Sequence, residues 1–305
     1  MSLHGRDIIS IRDVTKNEML TIFREATSLE PYARSKSDVL KGKVMALLFF
    51  EPSTRTRLSF ETAMKRLGGD VIDFEEPSIT SMAKGESLID TVKVIENYAD
   101  VMVVRHPFEG AAKAIADAVQ VPVINAGSGA LSHPTQALTD LYTIWREKGG
   151  IDGLTVLFLG DLKYSRAVRS LIQGLLNFKV SFIFVSPELL RLREEVREEL
   201  RGQGVSFVEA TSLSQELIRE ADIIYVTRIQ RERFADPMEY EKVKGSYKLT
   251  MGHLRYAKDD LMVLHPLPRV DELDWEIDKT PYAKYFRQVF YGLLVRMALL
   301  KMILA

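Results

Sequence analysis

Short apolar runs rich in β-branched residues recur along this chain, and they alternate with stretches in which apolar residues fall three and four positions apart. Runs of the first kind are typical of strands buried on both faces, and the second spacing is typical of helices that pack on a sheet. Their regular alternation predicts an α/β fold with parallel sheets covered on both sides. The predicted strands are residues 44–50, 71–74, 101–104, 121–125, 154–159, 180–185, 205–208, 223–227 and 262–264, and the predicted helices are residues 57–67, 87–98, 109–119, 135–147, 165–176, 188–201 and 214–221.

Two helical segments carry a further prediction. Residues 188–201 are dense in Glu and Arg three and four positions apart, so we expect a solvated helix face there. Residues 289–305 are mostly apolar, but Arg296 and Lys301 interrupt the run, which favours a packing helix over a membrane span. The stripe expected to reach the core consists of Phe286, Val289, Phe290, Leu293, Leu294, Met297 and Leu300.

Composition narrows the class of protein. A length of 305 residues suggests about two domains, and 46 % apolar with 27 % charged residues is an ordinary globular balance. The formal net charge of −1 provides no general basic field, so we expect no nucleic-acid partner. The absence of cysteine excludes disulfides and thiolate nucleophiles and fits a reducing, cytoplasmic location. The first residues lack the apolar core of a secretion signal, so we expect no membrane association.

Polar clusters follow many of the predicted strands, at the point where each strand ends. In open parallel sheets, ligands bind beyond the carboxyl ends of the strands. One such cluster is typical of an ordinary loop, but a set of them in two candidate domains indicates one cleft between two sheets. The clusters are residues 52–57, 105–107, 125–129, 160–166, 227–230 and 265–269.

The first cluster carries the strongest chemical signal. Residues 53–57 read Ser-Thr-Arg-Thr-Arg, directly after a buried strand and at the start of a helix. Ser53 is predicted to cap that helix, and the free N–H groups, the helix dipole, the hydroxyls and two guanidiniums all favour a bound anion. Phosphate fits best, because it accepts several hydrogen bonds at once. The alternative is a capped helix start with two solvated arginines.

Two further motifs leave alternatives open. His133 precedes a helix start, where a cationic imidazole is disfavoured, so a neutral ring either donates to a carbonyl oxygen or simply caps the helix. Lys84, in the small polar loop 81–87, either reaches an anionic ligand or is solvated. The glycine pattern of dinucleotide sites, the His-Glu-x-x-His zinc motif and the Gly-x-Ser-x-Gly elbow are absent, which disfavours a dehydrogenase, a kinase, a metal enzyme and a serine nucleophile and predicts no cofactor.

Together these stretches resemble the aspartate/ornithine transcarbamoylase family along essentially the whole chain. The Ser-Thr-Arg-Thr-Arg motif is similar to that family's carbamoyl-phosphate signature. The resemblance implies transfer of a carbamoyl group from carbamoyl phosphate to an amine. The other matching stretches are residues 105–107, 133–136, 161–166, 227–230, 265–269 and 278–281.

Two features favour L-aspartate over L-ornithine as the acceptor. The ornithine branch has a cysteine in a His-Cys-Leu-Pro run, where this chain has Pro266. Arg166 and Arg228 suit a dicarboxylate, because guanidinium pairs with carboxylate in two-pronged fashion. The resemblance therefore implies N-carbamoyl-L-aspartate and phosphate as products, an early step of pyrimidine synthesis. Another transcarbamoylase and a non-catalytic anion-binding relative are the alternatives.

The resemblance also implies a role for each matching residue. Arg55, Thr56, Arg105, His133 and Lys84 are the implied catalytic residues. Glu51 is implied to position Arg166 and Arg233 when the domains close. The implied contacts of aspartate are Lys84, Arg166, Arg228, Gln230 and Leu267. The implied contacts of carbamoyl phosphate are Ser53, Thr54, Arg55, Thr56, Ser81, Lys84, Arg105, His133, Gln136, Pro266 and Leu267.

The family architecture implies two doubly wound parallel-sheet domains with the active-site cleft between them. The implied carbamoyl-phosphate domain is residues 1–134 plus 287–305, where the C-terminal helix crosses back, and the implied aspartate domain is residues 135–286. A homotrimer is implied, in which Ser81 and Lys84 complete a neighbour's active site. The loop that holds them is one residue shorter than in well-known relatives, so Ser81 matches less closely than Lys84. Some members also bind a separate zinc-containing regulatory chain, and the sequence does not decide this.

Overall fold

The computed structural model describes residues 3–74, 81–234 and 236–305. The chain divides into two compact units, residues 1–143 with 289–305, and residues 144–288. The first unit contains a four-stranded sheet and the second a five-stranded sheet. Among the described residues, every pair of neighbouring strands in the two sheets is parallel. The predicted α/β fold with two parallel sheets is therefore confirmed.

Strands and helices follow one another in the alternating order expected of such sheets. The strands are β1 (Val44–Phe49), β2 (Asp70–Phe74), β3 (Val101–His106), β4 (Val123–Ser128), β5 (Thr155–Leu159), β6 (Ser181–Val185), β7 (Phe207–Ala210), β8 (Ile223–Val226) and β9 (Met262–Leu264). The helices are α1 (Lys16–Ser28), α2 (Arg55–Arg66), α3 (Leu88–Ile95), α4 (Ala111–Ala118), α5 (Pro134–Lys148), α6 (Arg166–Leu175), α7 (Glu194–Gly202), α8 (Gln215–Glu220), α9 (Pro237–Val243), α10 (Met251–Leu254) and α11 (Tyr285–Leu304).

The sheet of the first unit reverses its direction of winding between β1 and β3. Its strand order is β2-β1-β3-β4, so the chain first adds β2 on one side of β1 and then β3 on the other. The register places Phe49 beside Arg105 at the carboxyl ends of the two strands. Consecutive residues of β1, from Met45 to Leu48, are all buried, because helices cover both faces of the sheet. Such a reversal is the point at which open α/β sheets bind ligands.

The sheet of the second unit has the same kind of reversal, between β5 and β8. Its strand order is β7-β6-β5-β8-β9, and β5 pairs with β6 on one side and with β8 on the other. The register places Leu159 beside Val226, so the loops that follow these two residues leave the sheet side by side. Each unit thus offers one position at its sheet edge where polar loops converge.

All nine predicted strands are present, with ends that differ by up to three residues. Helices α1, α9 and α10 had not been predicted. Residues 188–201, predicted as one helix, form a 3₁₀ turn (Glu188–Leu190) and α7, separated by extended residues. The break occurs because Leu190 and Leu192 are both buried, at 0 % and 3 % exposed, and a two-residue spacing needs extended backbone.

The predicted apolar stripe of α11 is correct in its second half and wrong in its first. Leu294, Met297 and Leu300 are fully buried, whereas Phe286 and Val289 are 57 % and 43 % exposed. The first turns bury a different face instead, which carries Tyr285, Gln288 and Tyr291. Among the described residues, none of the helices combines the length and apolar character needed to cross a membrane.

Candidate functional site

Helix α2 starts directly after β1, at the reversal point of the first sheet. The N-cap residue is Thr54 and not the predicted Ser53, and the helix begins at Arg55. Thr54 has helical backbone angles, φ −78° and ψ −55°, and its side chain makes no capping hydrogen bond. An N-cap side chain normally accepts a first-turn N–H from an extended backbone, as at the starts of α1 and α3. No capping side chain therefore competes with an anion for the first-turn N–H groups of α2.

The two arginines of this motif differ in their surroundings. Arg57 forms an ion pair with Asp73 on β2 and so joins α2 to its own sheet. Arg55 is exposed on the first turn, while Thr56 beside it is 6 % exposed. Because Arg57 is engaged with Asp73, the expectation that both arginines of the motif contribute to the anion site is corrected.

Arg105 and Glu51 meet at the ends of the neighbouring strands β3 and β1. The Nε and Nη2 atoms of Arg105 donate to Oε1 of Glu51 at 2.9 Å and 2.8 Å. The two side chains are 14 % and 16 % exposed, so the pair is well shielded from water. Glu51 was predicted to position Arg166 and Arg233, and within the first unit its partner is Arg105. A carboxylate held by Arg105 demonstrates that this guanidinium can bind an anionic group.

His106 supports the loop that follows Arg105. Its Nδ1 accepts the N–H of Phe108 at 3.0 Å, and its ring packs between Phe50 and Phe108 with centroid distances of 5.0 Å and 5.2 Å. Burial lowers the pKa of His106, and the nearby Glu51 carboxylate only partly opposes this. A neutral His106 therefore fixes the loop without adding positive charge to the site.

His133 lies directly before α5, and Gln136 and Asp140 lie on its first two turns. His133 is 5 % exposed, and its carbonyl accepts the N–H groups of Gln136 and Ala137, each at 3.1 Å. The side-chain nitrogen of Gln136 donates to Oδ1 of Asp140 at 2.7 Å, and Asp140 is fully buried. The side-chain oxygen of Gln136 is therefore the atom left to accept from a ligand. Sequence reasoning missed Asp140, although its position four residues after Gln136 signals a side-chain pair on a helix.

Asp161 joins the two loops at the reversal point of the second sheet. Its side chain accepts the N–H of Tyr164 at 2.9 Å, and its main-chain oxygen accepts the Thr227 hydroxyl at 3.2 Å. Burial raises the pKa of Asp161 to about 6, while the N–H groups of Tyr164 and Gln230 and the charge of Arg228 act to lower it. Asp161 thus holds the loop after β5 against the loop after β8.

The predicted aspartate-binding residues of the second unit lie on these two loops. Arg166 is the first residue of α6, and Arg228 and Gln230 follow β8; all three are half-buried. The loops approach closely at Gly160, which has φ +115° and whose added Cβ would lie 2.2 Å from the carbonyl oxygen of Thr227. The structure therefore brings the three residues to neighbouring strand ends, as predicted.

The loop after β9 carries the predicted carbonyl acceptors of Pro266 and Leu267 on a buried hydrogen-bonded frame. The Leu267 N–H donates to Nδ1 of His265 at 2.8 Å, which leaves Nε2 of His265 to donate to Glu272 at 2.6 Å. Glu272 also accepts the N–H of Val270 at 3.0 Å. Burial acts to raise the pKa of Glu272, but these hydrogen bonds outweigh it and lower the pKa overall. Leu267 is held at φ +52°, an uncommon angle for a side chain of this size.

Arg269, in the same strand-end motif, has a structural role. Its guanidinium pairs with Asp278, lies 3.7 Å from the ring centre of Trp275 and is 4 % exposed. Sequence reasoning placed it in the motif but gave no indication that it points away from solvent. It anchors the loop that carries Pro266 and Leu267.

Lys84 lies on a short 3₁₀ turn (Ser81–Lys84) and is exposed. The side chain of Ser81 lies outside the described residues. The suggested contribution of both residues to a neighbour's site stays a prediction. Across the described part of the chain, no group of three or more His, Asp or Glu side chains is arranged to hold a metal ion.

Comparison with known proteins adds independent information. The aspartate/ornithine carbamoyltransferase carbamoyl-P binding domain matches residues 6–146, and the Asp/Orn binding domain of the same family matches residues 152–303. The chain is 56 % identical over 302 residues to the aspartate carbamoyltransferase catalytic subunit of Thermococcus gammatolerans, with 98 % of each chain covered. It is 54 % identical over 300 residues to that of Pyrobaculum islandicum, again with 98 % of each chain covered.

Solved structures agree with these matches. The catalytic subunit of M. jannaschii aspartate transcarbamoylase superposes with a TM-score of 0.88 at 52 % identity, over 97 % of each chain. Aspartate transcarbamoylase from Trypanosoma cruzi, in complex with carbamoyl phosphate and aspartate, superposes with a TM-score of 0.94 at 37 % identity, over 99 % of this chain and 98 % of that one. With both domain families matched and relatives above half identity over nearly its full length, this chain belongs to the aspartate/ornithine carbamoyltransferase family.

Proposed function

We propose that this protein is an aspartate carbamoyltransferase. It transfers the carbamoyl group of carbamoyl phosphate to the amine of L-aspartate and releases N-carbamoyl-L-aspartate and phosphate, an early step of pyrimidine biosynthesis. The observation that carries the proposal is the pair of cationic strand-end sites, with Arg55 and Arg105 on one sheet and Arg166 and Arg228 on the other. Carbamoyl phosphate and L-aspartate are both anions, so each of them needs a cationic site. Relatives named aspartate carbamoyltransferase catalytic subunit support it.

The phosphate of carbamoyl phosphate binds at the start of α2. The first-turn N–H groups, the hydroxyls of Ser53 and Thr54 and the guanidinium of Arg55 supply donors, and the positive end of the helix dipole adds a favourable field. Thr56 adds a buried hydroxyl. Arg105 reaches both the phosphate and the carbonyl, and the substrate displaces Glu51 from it.

The carbamoyl group is held by donors on its oxygen and acceptors on its amino group. Thr56, Arg105 and a neutral His133 donate to the oxygen, where negative charge grows as the amine attacks. Donors fixed at such a position each contribute ~3 kcal/mol to the transition state in comparable enzymes. The side-chain oxygen of Gln136 and the carbonyls of Pro266 and Leu267 accept from the amino group.

Aspartate binds through its two carboxylates to Arg166, Arg228 and Gln230, with Leu267 and Lys84 as further contacts. The guanidiniums offset the repulsion between two anionic substrates and hold the amine close to the carbonyl carbon. No enzyme nucleophile takes part. The departing phosphate accepts the proton of the amine, so the reaction requires no side chain as general base.

The assembly proposed with this function is a cytoplasmic homotrimer. Ser81 and Lys84 of one subunit complete the site of the next, and the exposure of Lys84 supports this. Glu51, once displaced from Arg105, pairs with Arg166 and Arg233 as substrate binding closes the domains. Whether a zinc-containing regulatory chain joins the trimer is decided by its surface and is tested by co-purification.

The test is product formation by the purified protein with carbamoyl phosphate and either L-aspartate or L-ornithine. We expect carbamoyl aspartate from aspartate and no product from ornithine. Product from ornithine alone would establish a different transcarbamoylase. Binding of carbamoyl phosphate without turnover of either amine would favour a non-catalytic relative.

A further inference from the structure

Two charged side chains lie in the interior of the first unit, away from solvent. Asp140 on α5 is fully buried, and Arg296 on α11 is 4 % exposed. Arg296 donates from Nη1 to the carbonyl of Gly292 at 3.0 Å, and its guanidinium lies 5.2 Å from the ring centre of Phe60 on α2. Burial lowers the pKa of Arg296 to about 10, and the charge of Asp140 acts to raise it. Both side chains are thus withdrawn from water in the same unit.

Ionisable side chains buried in this way contribute little to stability alone. Removing two charges from water costs several kcal/mol per ion, and apolar residues of similar volume often give an equal or higher stability. The packing around Arg296 is tight as well, because a Cβ on Gly292 would lie 2.7 Å from its Nη1. A role in orientation explains why a carboxyl group lies at position 140.

The orientation concerns the amide of Gln136. An ionised carboxylate has no proton to donate, so Asp140 can only accept, and it accepts from the Gln136 side-chain nitrogen at 2.7 Å. A neutral residue at position 140 would pair with either end of the amide. The carboxylate of Asp140 therefore selects one of the two orientations of the Gln136 amide.

We infer that Asp140 is a positioning residue that presents the side-chain oxygen of Gln136 to the amino group of the carbamoyl substrate. The inference rests on the proposed function. A carbamoyl group donates from nitrogen at this position, whereas an acetyl group has a methyl and donates nothing. The hydrogen bond between Asp140 and Gln136 thus contributes to the preference of the enzyme for carbamoyl phosphate over other acyl phosphates.

Two stable phosphonates test this without turnover. Phosphonoacetamide carries the amide NH₂, and 2-oxopropylphosphonate has a methyl in its place. Calorimetric titration of the wild-type trimer should show about tenfold tighter binding of the amide, a ratio that corresponds to ~1.4 kcal/mol. In Asp140→Asn the amide of Gln136 is free to turn, so the ratio should fall below about threefold while binding of the methyl compound changes little.

Glu18→Gln is the matched control. Glu18 is a buried carboxylate of the same unit, 6 % exposed and paired with Arg6, but it lies outside the proposed site. Its variant should lose stability and keep the wild-type ratio. Asp140→Ser is the second test variant, because a hydroxyl donates as well as accepts. If neither Asp140 variant folds, hydrogen exchange of the side-chain amide protons of Gln136 in the wild type is the test. Slow exchange would support the hydrogen bond to Asp140.

The outcomes separate the two proposals. Wild-type protein that binds neither phosphonate would refute the proposed function. Wild-type preference for the amide that persists in the Asp140 variants would leave the function intact and overturn the positioning role. Rapidly exchanging Gln136 amide protons in the wild type would overturn it too.

Discussion

At the scale of single residues, the surroundings of each arginine separate a binding role from a structural one. Arg55 stands exposed on an uncapped helix start, whereas Arg57, two positions later, is paired with Asp73. Arg269 belongs to a strand-end motif but is enclosed between Trp275 and Asp278. From residue type alone, Arg55, Arg57 and Arg269 would be equally good candidates for binding an anion.

This difference predicts unequal effects of two neighbouring substitutions. Arg55→Ala should lower kcat by about 10²–10³-fold while the protein stays folded, because a fixed donor to developing charge is lost. Arg57→Ala removes an ion pair outside the phosphate site and should lower kcat by less than about tenfold. Steady-state kinetics with both substrates check this. Near-native turnover of Arg55→Ala would remove the phosphate assignment.

Gly160 carries a second residue-scale prediction. A Cβ there would lie 2.2 Å from a backbone oxygen, and φ is +115°, so Gly160→Ala should destabilise the protein by at least ~2 kcal/mol. Gly204 is a suitable control, because it has φ +67° with no atom within 4 Å of an added Cβ. Gly204→Ala should cost only about 1 kcal/mol. Equal losses in denaturant unfolding would show that the close approach of the two loops is unimportant.

At the scale of elements, the hydrophobic pattern predicts which segments are strands better than where helices begin and bend. All predicted strands were found, because a buried strand has to be apolar at nearly every position. The N-cap of α2 is Thr54, one residue after the expected Ser53. The helix predicted over residues 188–201 is interrupted where Leu190 and Leu192 are both buried. Tertiary burial determined the second of these differences.

Asp161, which links the loop after β5 to the loop after β8, gives a prediction about the pH dependence of stability. The pKa of Asp161 is raised from its ordinary 3.8 to about 6, so between about pH 4 and pH 6 the folded state holds a proton that the unfolded state has lost. The stabilisation due to this group therefore decreases as pH rises through that window. The free energy of unfolding of the wild type, relative to Asp161→Asn, should fall by on the order of 3 kcal/mol from pH 4 to pH 7.

Denaturant titrations at several pH values measure this difference. Asp260 is the control with opposite sign, because its hydrogen bond from Lys148 lowers its pKa. The stabilisation due to Asp260 is present above its ordinary pKa and is lost as pH falls. The difference in free energy of unfolding between wild type and Asp260→Asn should therefore grow as pH rises. A flat profile for Asp161→Asn would mean that Asp161 is ionised in both states.

At the scale of the whole molecule, the proposed trimer makes a prediction about shared sites. Lys84→Ala and Arg105→Ala trimers should each be nearly inactive. Mixed trimers contain some sites in which a wild-type Lys84 meets a wild-type Arg105, so subunit exchange should restore part of the activity. Assays before and after exchange, with hybrids verified by native mass spectrometry, measure this. No recovery in verified hybrids would argue against sites shared between subunits.

Much of the candidate site was predictable, because its residues follow strands and the carboxyl ends of parallel strands share an edge. Arg166, Arg228 and Gln230 were placed on neighbouring loops from sequence, and the register of β5 and β8 brings them there. Glu51 was assigned to Arg166 and Arg233, yet within its unit it pairs with Arg105. Asp140 was missed and Asp161 was given no role of its own, since burial and hydrogen-bond partners depend on distant segments.

The sequence by itself determined the alternation of strands and helices, the class of fold, the family and the positions of the cationic motifs. These follow from local patterns, namely apolar periodicity and short runs of residues with defined chemistry. Only the tertiary structure decided which side chains are buried and paired: Arg57 with Asp73, Glu51 with Arg105, and Gln136 with Asp140. Each pair depends on packing between segments, because the free energy of a charge depends on which groups replace its water.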